Sequence, residues 1–230
     1  MNYVHHSRLF LLIREHRYLL GSLYAVFYLS WFRLLERTVT PESRICIMHC
    51  GADDIIPVLP VFIIPYLFWF VYVLGSIFWF GMHDPDEMTR LGISLAGGMT
   101  ICLLICTLFP NGTDLRIPAD PYSGLFSKLL WIIQRADTTT NVFPSIHVYN
   151  SLAVNSAVHR SMDLRHRPLV LAASSLAAIL ICFSTVFLKQ HSLIDLAGAC
   201  ILAYFMERSV YSGVPVPVPA GAGQKKKAMA

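Results

Sequence analysis

Residues 58–80 read VLPVFIIPYLFWFVYVLGSIFWF, a stretch without a single charged side chain. About 20 apolar helical residues cross a bilayer core, so this stretch is long enough to span one. Residues 91–109 and 169–188 are uncharged as well. One such run can hide as a buried helix in a soluble core. Three of them in 230 residues, with further candidates between and beyond, exceed what a soluble chain of this size can bury. Composition agrees: 14% of residues are charged, against about 25% in a typical soluble domain.

Working outward from these runs predicts spans at 18–35, 58–80, 91–109, 143–158, 169–188 and 192–209. The expected fold is all-α, an integral membrane bundle of about six transmembrane helices. The fourth span is short and carries Ser, Asn and His, so it has to face other helices rather than lipid. A single membrane domain over 18–210 follows a basic, His-rich segment over 1–17, expected in the cytoplasm. The first apolar segment lacks an A-x-A cleavage site and ends in Arg33, Glu36 and Arg37, so it reads as a retained span. Residues 211–230 form a Pro/Gly-rich basic tail with nothing to pack against, expected to be disordered.

Lys and Arg set the orientation. With the N-terminus inside, the inner side holds Arg8, Arg14, Arg17, Arg90, Arg160, Arg165, Arg167, Arg208 and the three lysines at 225–227. The outer side holds Arg33, Arg37, Arg44, Arg116, Lys128, Arg135 and Lys189, spread over longer loops. The bias favours both termini inside. The partners expected are the bilayer and an amphiphilic lipid rather than nucleic acid.

The six cysteines do not define a disulfide framework. Cys102, Cys106, Cys182 and Cys200 lie in spans and read as packing residues. Cys46 and Cys50 flank His49, but zinc takes about four ligands and this cluster offers three at an unusual spacing. Packing or a disulfide suits it better than metal.

Polar residues inside spans are costly, which makes them site candidates. Two clusters qualify, Asn141 to His147 (NVFPSIH) and Ser184 to Asp195 (STVFLKQHSLID). The six-span arrangement puts both at the same, outer, membrane face. His191 and Asp195 are four residues apart and share a helix face. A carboxylate there accepts from one ring nitrogen, fixes the tautomer and makes the other nitrogen an activated nucleophile or base. His147 falls in a first helical turn, where free N–H groups and the Ser145 hydroxyl suit a phosphate. A second imidazole beside a phosphate is a natural general acid. Either histidine alone is more often an ordinary core or interfacial residue; His147, His191 and Asp195 together favour a site. Asp53 and Asp54, just before a proline-started helix, read as an N-terminal cap rather than as catalytic acids. The aromatics Phe68, Trp69, Phe70, Tyr72, Phe78, Trp79 and Phe80 read as lipid-facing anchors.

These motifs resemble the type 2 phosphatidic acid phosphatase superfamily, in its integral membrane branch. Its Pro-Ser-x-His motif is matched by Pro144, Ser145, Ile146 and His147. Its Ser-Arg-x5-His-x3-Asp motif is matched by Ser184, His191 and Asp195. The resemblance implies a metal-free, cofactor-free enzyme in which His191 is the nucleophile, Asp195 orients it and His147 protonates the leaving group. It implies phosphate binding by Ser145 and Ser184. Two positions depart from the pattern: the Arg after the Ser is Thr185, and the Lys of the family's first motif falls at Phe109. Arg116 and Lys189 are the substitutes considered for phosphate binding, with Arg135 and Lys128 behind them. Asp53 through Trp69 also resembles the lipid phosphotransferase side of the superfamily, which includes inositol phosphorylceramide synthases. The implied substrate is a phospholipid or an isoprenoid-type lipid; hydrolysis and transfer both stay open. A catalytically degenerate lipid-binding or transport protein is the alternative.

The even span count and the basic bias give a topology to test. A reporter fused after Met206 should be active only if its kind works in the cytoplasm. Activity of an extracytoplasmic-only reporter at that position would invert the arrangement.

Overall fold

The computed structural model describes residues 7–212. The basic tail read over 211–230 therefore lies, beyond Ser212, outside the described residues. Helices α1 (Arg8–Glu15) and α2 (Arg17–Thr38) are followed by a two-residue strand β1 (Cys46–Ile47), a short helix α3 (Gly51–Ile55) and a 3-10 turn (Pro60–Phe62). Then come α4 (Ile63–His83), α5 (Pro85–Leu108), β2 (Asn111–Gly112), α6 (Leu125–Ala136), α7 (Ile146–Arg160), α8 (Pro168–Phe187) and α9 (Leu193–Val210). The fold is all-α; β1 and β2 pair in parallel, Cys46 with Asn111 and Ile47 with Gly112, and Gly112 also bridges Thr140 in antiparallel sense, so three loops are clipped together.

Each of the six expected spans contains a helix. Four of them, Arg17–Thr38, Pro60–His83, Pro85–Leu108 and Pro168–Phe187, are long and apolar enough to cross a membrane. The other two have reasons to fall short. Helix α7 has 15 residues, about 22 Å at 1.5 Å per residue, and α9 carries Asp195, Glu207 and Arg208.

The helix ends follow local rules. Pro85 starts α5 behind Asp84, whose side chain accepts from the Glu87 N–H at 3.0 Å. Pro168 starts α8 in the same first-turn position. Asp84 and Pro85 set the start of α5 before residue 91, so it includes Asp86, Glu87 and Arg90. Glu87 is buried and satisfied by the Tyr211 hydroxyl and by Arg90.

Helix α7 is the axle. It packs against α8, α9, α5 and α4, and Val148, Tyr149, Val154 and Ala157 are wholly buried in the main core. Because it is surrounded by protein, its Asn150 and Ser151 are buried without facing lipid. Helix α2 is peripheral, with Leu35 its sole buried residue, and is tied to α5 by Tyr24 to the Ala96 carbonyl (2.9 Å) and Trp31 to Thr107 (3.1 Å). Helices α1 and α6 are short amphipathic elements that the span pattern leaves out.

Helices α5 and α7 approach closely at Gly98. A Cβ there would lie 1.9 to 2.2 Å from ring atoms of Tyr149. That ring cannot swing away freely, because its hydroxyl donates to the Ser94 carbonyl at 2.7 Å. Gly98→Ala should destabilise the protein by about 1–3 kcal/mol through overpacking. Gly92→Ala, in open space on the same helix, should be neutral or slightly stabilising. Thermal unfolding of the detergent-purified variants measures both.

Candidate active site

The N-terminus of α9 organises the site. A helix start leaves backbone N–H groups unpaired. Ser192 caps this one, its Oγ accepting from the Ile194 N–H at 3.1 Å. Asp195 completes a capping box, with Oδ2 accepting from the Ser192 N–H at 2.9 Å. The same Oδ2 lies 3.2 Å from His191 Nδ1. When Asp195 is ionised it only accepts, so Nδ1 is then the donor in this contact and Nε2 keeps its lone pair. Asp195 is fully buried and His191 is nearly so.

His147 sits in the first turn of α7, behind the N-cap Ser145, whose Oγ accepts from the Val148 N–H at 3.5 Å. Its ring stacks on Tyr66 and meets Trp69 of α4 at a tilt, each with centroids 4.5 Å away. The His147 and His191 rings are 6.0 Å apart. The two motifs also touch through the backbone, the Ser145 N–H donating to the Asp195 carbonyl at 3.3 Å. The structure thus brings His147, His191, Asp195 and Ser145 together.

The remaining sequence candidates are engaged elsewhere. The Ser184 hydroxyl donates to the Ile181 carbonyl at 2.6 Å, and the buried Thr185 hydroxyl to the Cys182 carbonyl at 2.8 Å, so both serve the last turns of α8. Lys189 is buried, and its Nζ donates to the Asp53 carbonyl. Arg116 makes a two-point contact with Asp137, through the carbonyl at 2.7 Å and Oδ2 at 2.9 Å. Its Nε is buried without a partner among the described residues. Arg116 and Asp137 lie within electrostatic range of Tyr66.

Several residues need a different reading from the sequence-based one. The aromatics of α4 are not all lipid-facing: Trp69 packs against His147, and Tyr72 and Phe80 are buried. Side chains in the middle of a helix divide by face, which a run of consecutive aromatics hides. Asp53 is a cap, though not of the proline-started helix that follows it: it caps two other helices. Its carboxylate accepts from the Cys50 N–H at the start of α3 (2.9 Å) and, at the start of α9, from the Ser192 hydroxyl (2.6 Å) and the Leu193 N–H (2.9 Å). Asp54 pairs instead with His49, which also meets Asp114. Two carboxylates on one imidazole, at 3.0 and 2.9 Å, push the His49 pKa up, with the Asp114 bond the largest cause. Cys46 and Cys50 beside it are free thiols.

Three further residues support the loop that leads into His147. Buried Asn111 accepts through Oδ1 from the Val142 and Phe143 N–H groups at 2.9 and 2.8 Å. Glu36, at the end of α2, accepts from Thr138 (2.7 Å) and Asn141 (2.9 Å). Gly198 of α9 leaves room for Phe143, whose ring would lie 2.5 Å from a Cβ there. The Ser192-x-x-Asp195 pattern was legible as a capping box; nothing in the sequence marks Asn111 or Glu36.

Comparison with protein-family models, with curated proteins and with solved structures gives no match for this chain.

Chemically, the arrangement offers one imidazole oriented by a buried carboxylate, facing a second one held by aromatic rings. Burial pushes the Asp53 pKa up, but the bonds from Ser192, Leu193 and Cys50 outweigh it and hold the carboxyl below its usual range. A carboxyl with a depressed folded-state pKa stabilises above its unfolded pKa, and that contribution is lost as pH falls through the folded value. Asp53→Ala should cost at least about 2 kcal/mol, since it strands the Ser192 and Leu193 donors. Asp53→Asn should keep part of the bonding and flatten the acid limb of stability. Thermal unfolding of both variants from neutral to acid pH measures this.

Proposed function

We propose that this chain is an integral membrane lipid phosphatase or phosphotransferase, similar in chemistry to the type 2 phosphatidic acid phosphatases. The carrying observation is the set His147, His191 and Asp195: two imidazoles 6.0 Å apart, one of them bonded to a buried carboxylate. Nε2 of His191 attacks phosphorus, the bond from phosphorus to the leaving oxygen breaks, and His147 gives that oxygen its proton. Water or a lipid hydroxyl then attacks phosphorus. Its proton passes to His147 and the phosphorus–nitrogen bond breaks, which restores both histidines. Asp195 holds His191 throughout, and Tyr66 and Trp69 hold the His147 ring. The basic bias of the loops supports a site on the extracytoplasmic side, and a plasma membrane location suits it.

The charge available favours one substrate class. Thr185 stands where the family carries Arg, Lys189 is spent on a carbonyl, and Arg116 is paired with Asp137. A dianionic monoester needs more positive charge than a monoanionic diester, because unpaired buried charge is costly. A phosphodiester lipid with a transferable head group is therefore the better substrate, and phosphatidic acid the poorer one.

One observation supports a second reading, a lipid-binding or transport protein without turnover: the nominated cations Lys189 and Arg116 already have partners. Turnover of phospholipids by the detergent-purified protein separates the two readings. Phosphorus-labelled diester substrate, quenched in mild alkali, should leave label on His191, and His191→Ala should abolish both label and turnover. The kcat/KM for a diester should exceed that for a monoester with the same acyl chains by at least about tenfold, equivalent to about 1.4 kcal/mol in transition-state binding. Label persisting in His191→Ala would reverse the roles of the two histidines. Lipid binding with no turnover in the unmodified protein would favour the second reading.

A further inference from the structure

Helix α7 also floors a cleft remote from the two histidines. Helices α8 and α9 leave their shared turn and diverge; both pack against α7, but they do not pack along each other. The space between them has a volume of about 480 Å³, within the range of about 300–1,000 Å³ usual for small-molecule sites. Its lining changes character along the helices. Toward the middle of the bundle Leu152, Cys200 and Ala203 contribute an apolar surface; at the far end stand Ser156, His159 and Arg160. His159 follows His147 by twelve residues on the same helix, about 18 Å away at 1.5 Å per residue. This cleft is therefore separate from the candidate active site.

The polar end is built rather than incidental. His159 Nε2 meets Ser175 Oγ at 2.9 Å. Arg160 donates to Glu207 at 2.7 Å, and its guanidinium lies over the Tyr211 ring at 5.2 Å. The Ser156 hydroxyl is buried without a partner among the described residues. The loop after α7 adds Arg165 and Arg167, and the last turn of α9 adds Arg208; against them stand Asp163, Glu207, Asp84 beside Ser161, and Glu87, which takes the Tyr211 hydroxyl and pairs with Arg90. Five arginines against four carboxylates leave this end with one positive charge in excess. On either side of the cleft the exposed faces carry Leu176, Ile179, Ile201 and Phe205, so it opens onto apolar surroundings. An apolar slot ending in a His, a free hydroxyl and an Arg that a phosphate would share with Glu207 matches an amphiphile with a phosphate head. Arginine presents several donors in a fixed fork suited to phosphate oxygens.

We propose that the cleft between α8 and α9 holds one glycerophospholipid, with its phosphate at His159, Arg160 and Ser156 and an acyl chain along Leu152 and Ala203. This site does not depend on the chemistry assigned to His191.

Native mass spectrometry of the full chain in detergent tests it, with phosphatidylglycerol, phosphatidylethanolamine and diacylglycerol of identical acyl chains as probes. Both phospholipids should be retained, and diacylglycerol at least tenfold less. The double variant His159→Gln, Arg160→Gln should lose at least tenfold in phospholipid retention. Cys200→Trp, at an exposed position, fills the apolar part without altering charge and should lose retention too, with thermal unfolding confirming that it is folded. All variants are compared in the His191→Ala background, where the proposed turnover does not consume the probe. Equal retention of diacylglycerol, or undiminished retention in both cleft variants, would each overturn the proposal. So would displacement by glycerol phosphate at concentrations comparable to the phospholipid, since the acyl chain would then contribute nothing.

Discussion

The carboxylate of Asp53 is fully buried, yet it sits where a negative charge is favoured. Backbone dipoles concentrate partial positive charge at a helix N-terminus, and unpaired N–H groups there need acceptors. Asp53 supplies acceptors to the start of α9 and, on its other side, to the start of α3. Its main-chain carbonyl takes the Lys189 ammonium as well. One residue of the short helix α3 thereby fixes the turn between α8 and α9. Lys189 in that turn has φ of 54°, a conformation that a non-glycine residue keeps only where its surroundings over-determine it. With the turn fixed, His191 and Asp195 have their geometry, and through the Asp195 carbonyl so has Ser145 at the head of α7.

That chain of constraints explains why a short, polar helix can lie at the centre of a bundle of longer apolar ones. Close approach is needed on two sides. Gly98 gives up its side-chain space to Tyr149 on α7, and Gly198 gives up its space to Phe143 just before α7 begins. The loop ahead of Phe143 is then held from below by Asn111 and from the side by Glu36. Peripheral α2 contributes through that carboxylate and through the carbonyl of its C-cap Val39, which accepts from the Thr140 hydroxyl at 2.8 Å. Removing the carboxylate would leave most of the core untouched while costing Thr138 and Asn141 one bond each, since both also bond Thr140.

The helices were legible in the sequence because hydrocarbon-length runs without charge have one physical explanation. Their limits were less so. Helix α5 begins at Pro85 rather than residue 91 because a cap and a proline outrank the charges that follow, and those charges find partners. Helices α1 and α6 carry charge on one face, so a search for uncharged runs passes over them. The pairing of His191 with Asp195 was legible because a spacing of four is local geometry. The partner of Asp53 was not: capping rules give the role of an Asp beside a helix start, while Ser192 is 139 residues away. Trp69 was misread for a related reason, since composition says how apolar a helix is and not which side of it faces a neighbour.

The electrostatics of the site end follow from which helix ends meet there. Helices α7 and α9 both begin at this end, each bringing a partial positive charge equivalent to roughly half an elementary charge. At α9 that charge is already answered, by Asp195 in its first turn and by Asp53 beside it. At α7 no acidic residue occupies the first turn. The remaining positive potential is therefore at the head of α7, beside His147 and facing His191. Under the proposed chemistry this is where the non-bridging oxygens of a phosphoryl group would be received, with backbone N–H groups standing in for side-chain cations. A single helix end is a modest source, worth up to about 2 kcal/mol when partly buried. It suits one negative charge better than two, which is the physical ground for the diester preference proposed above.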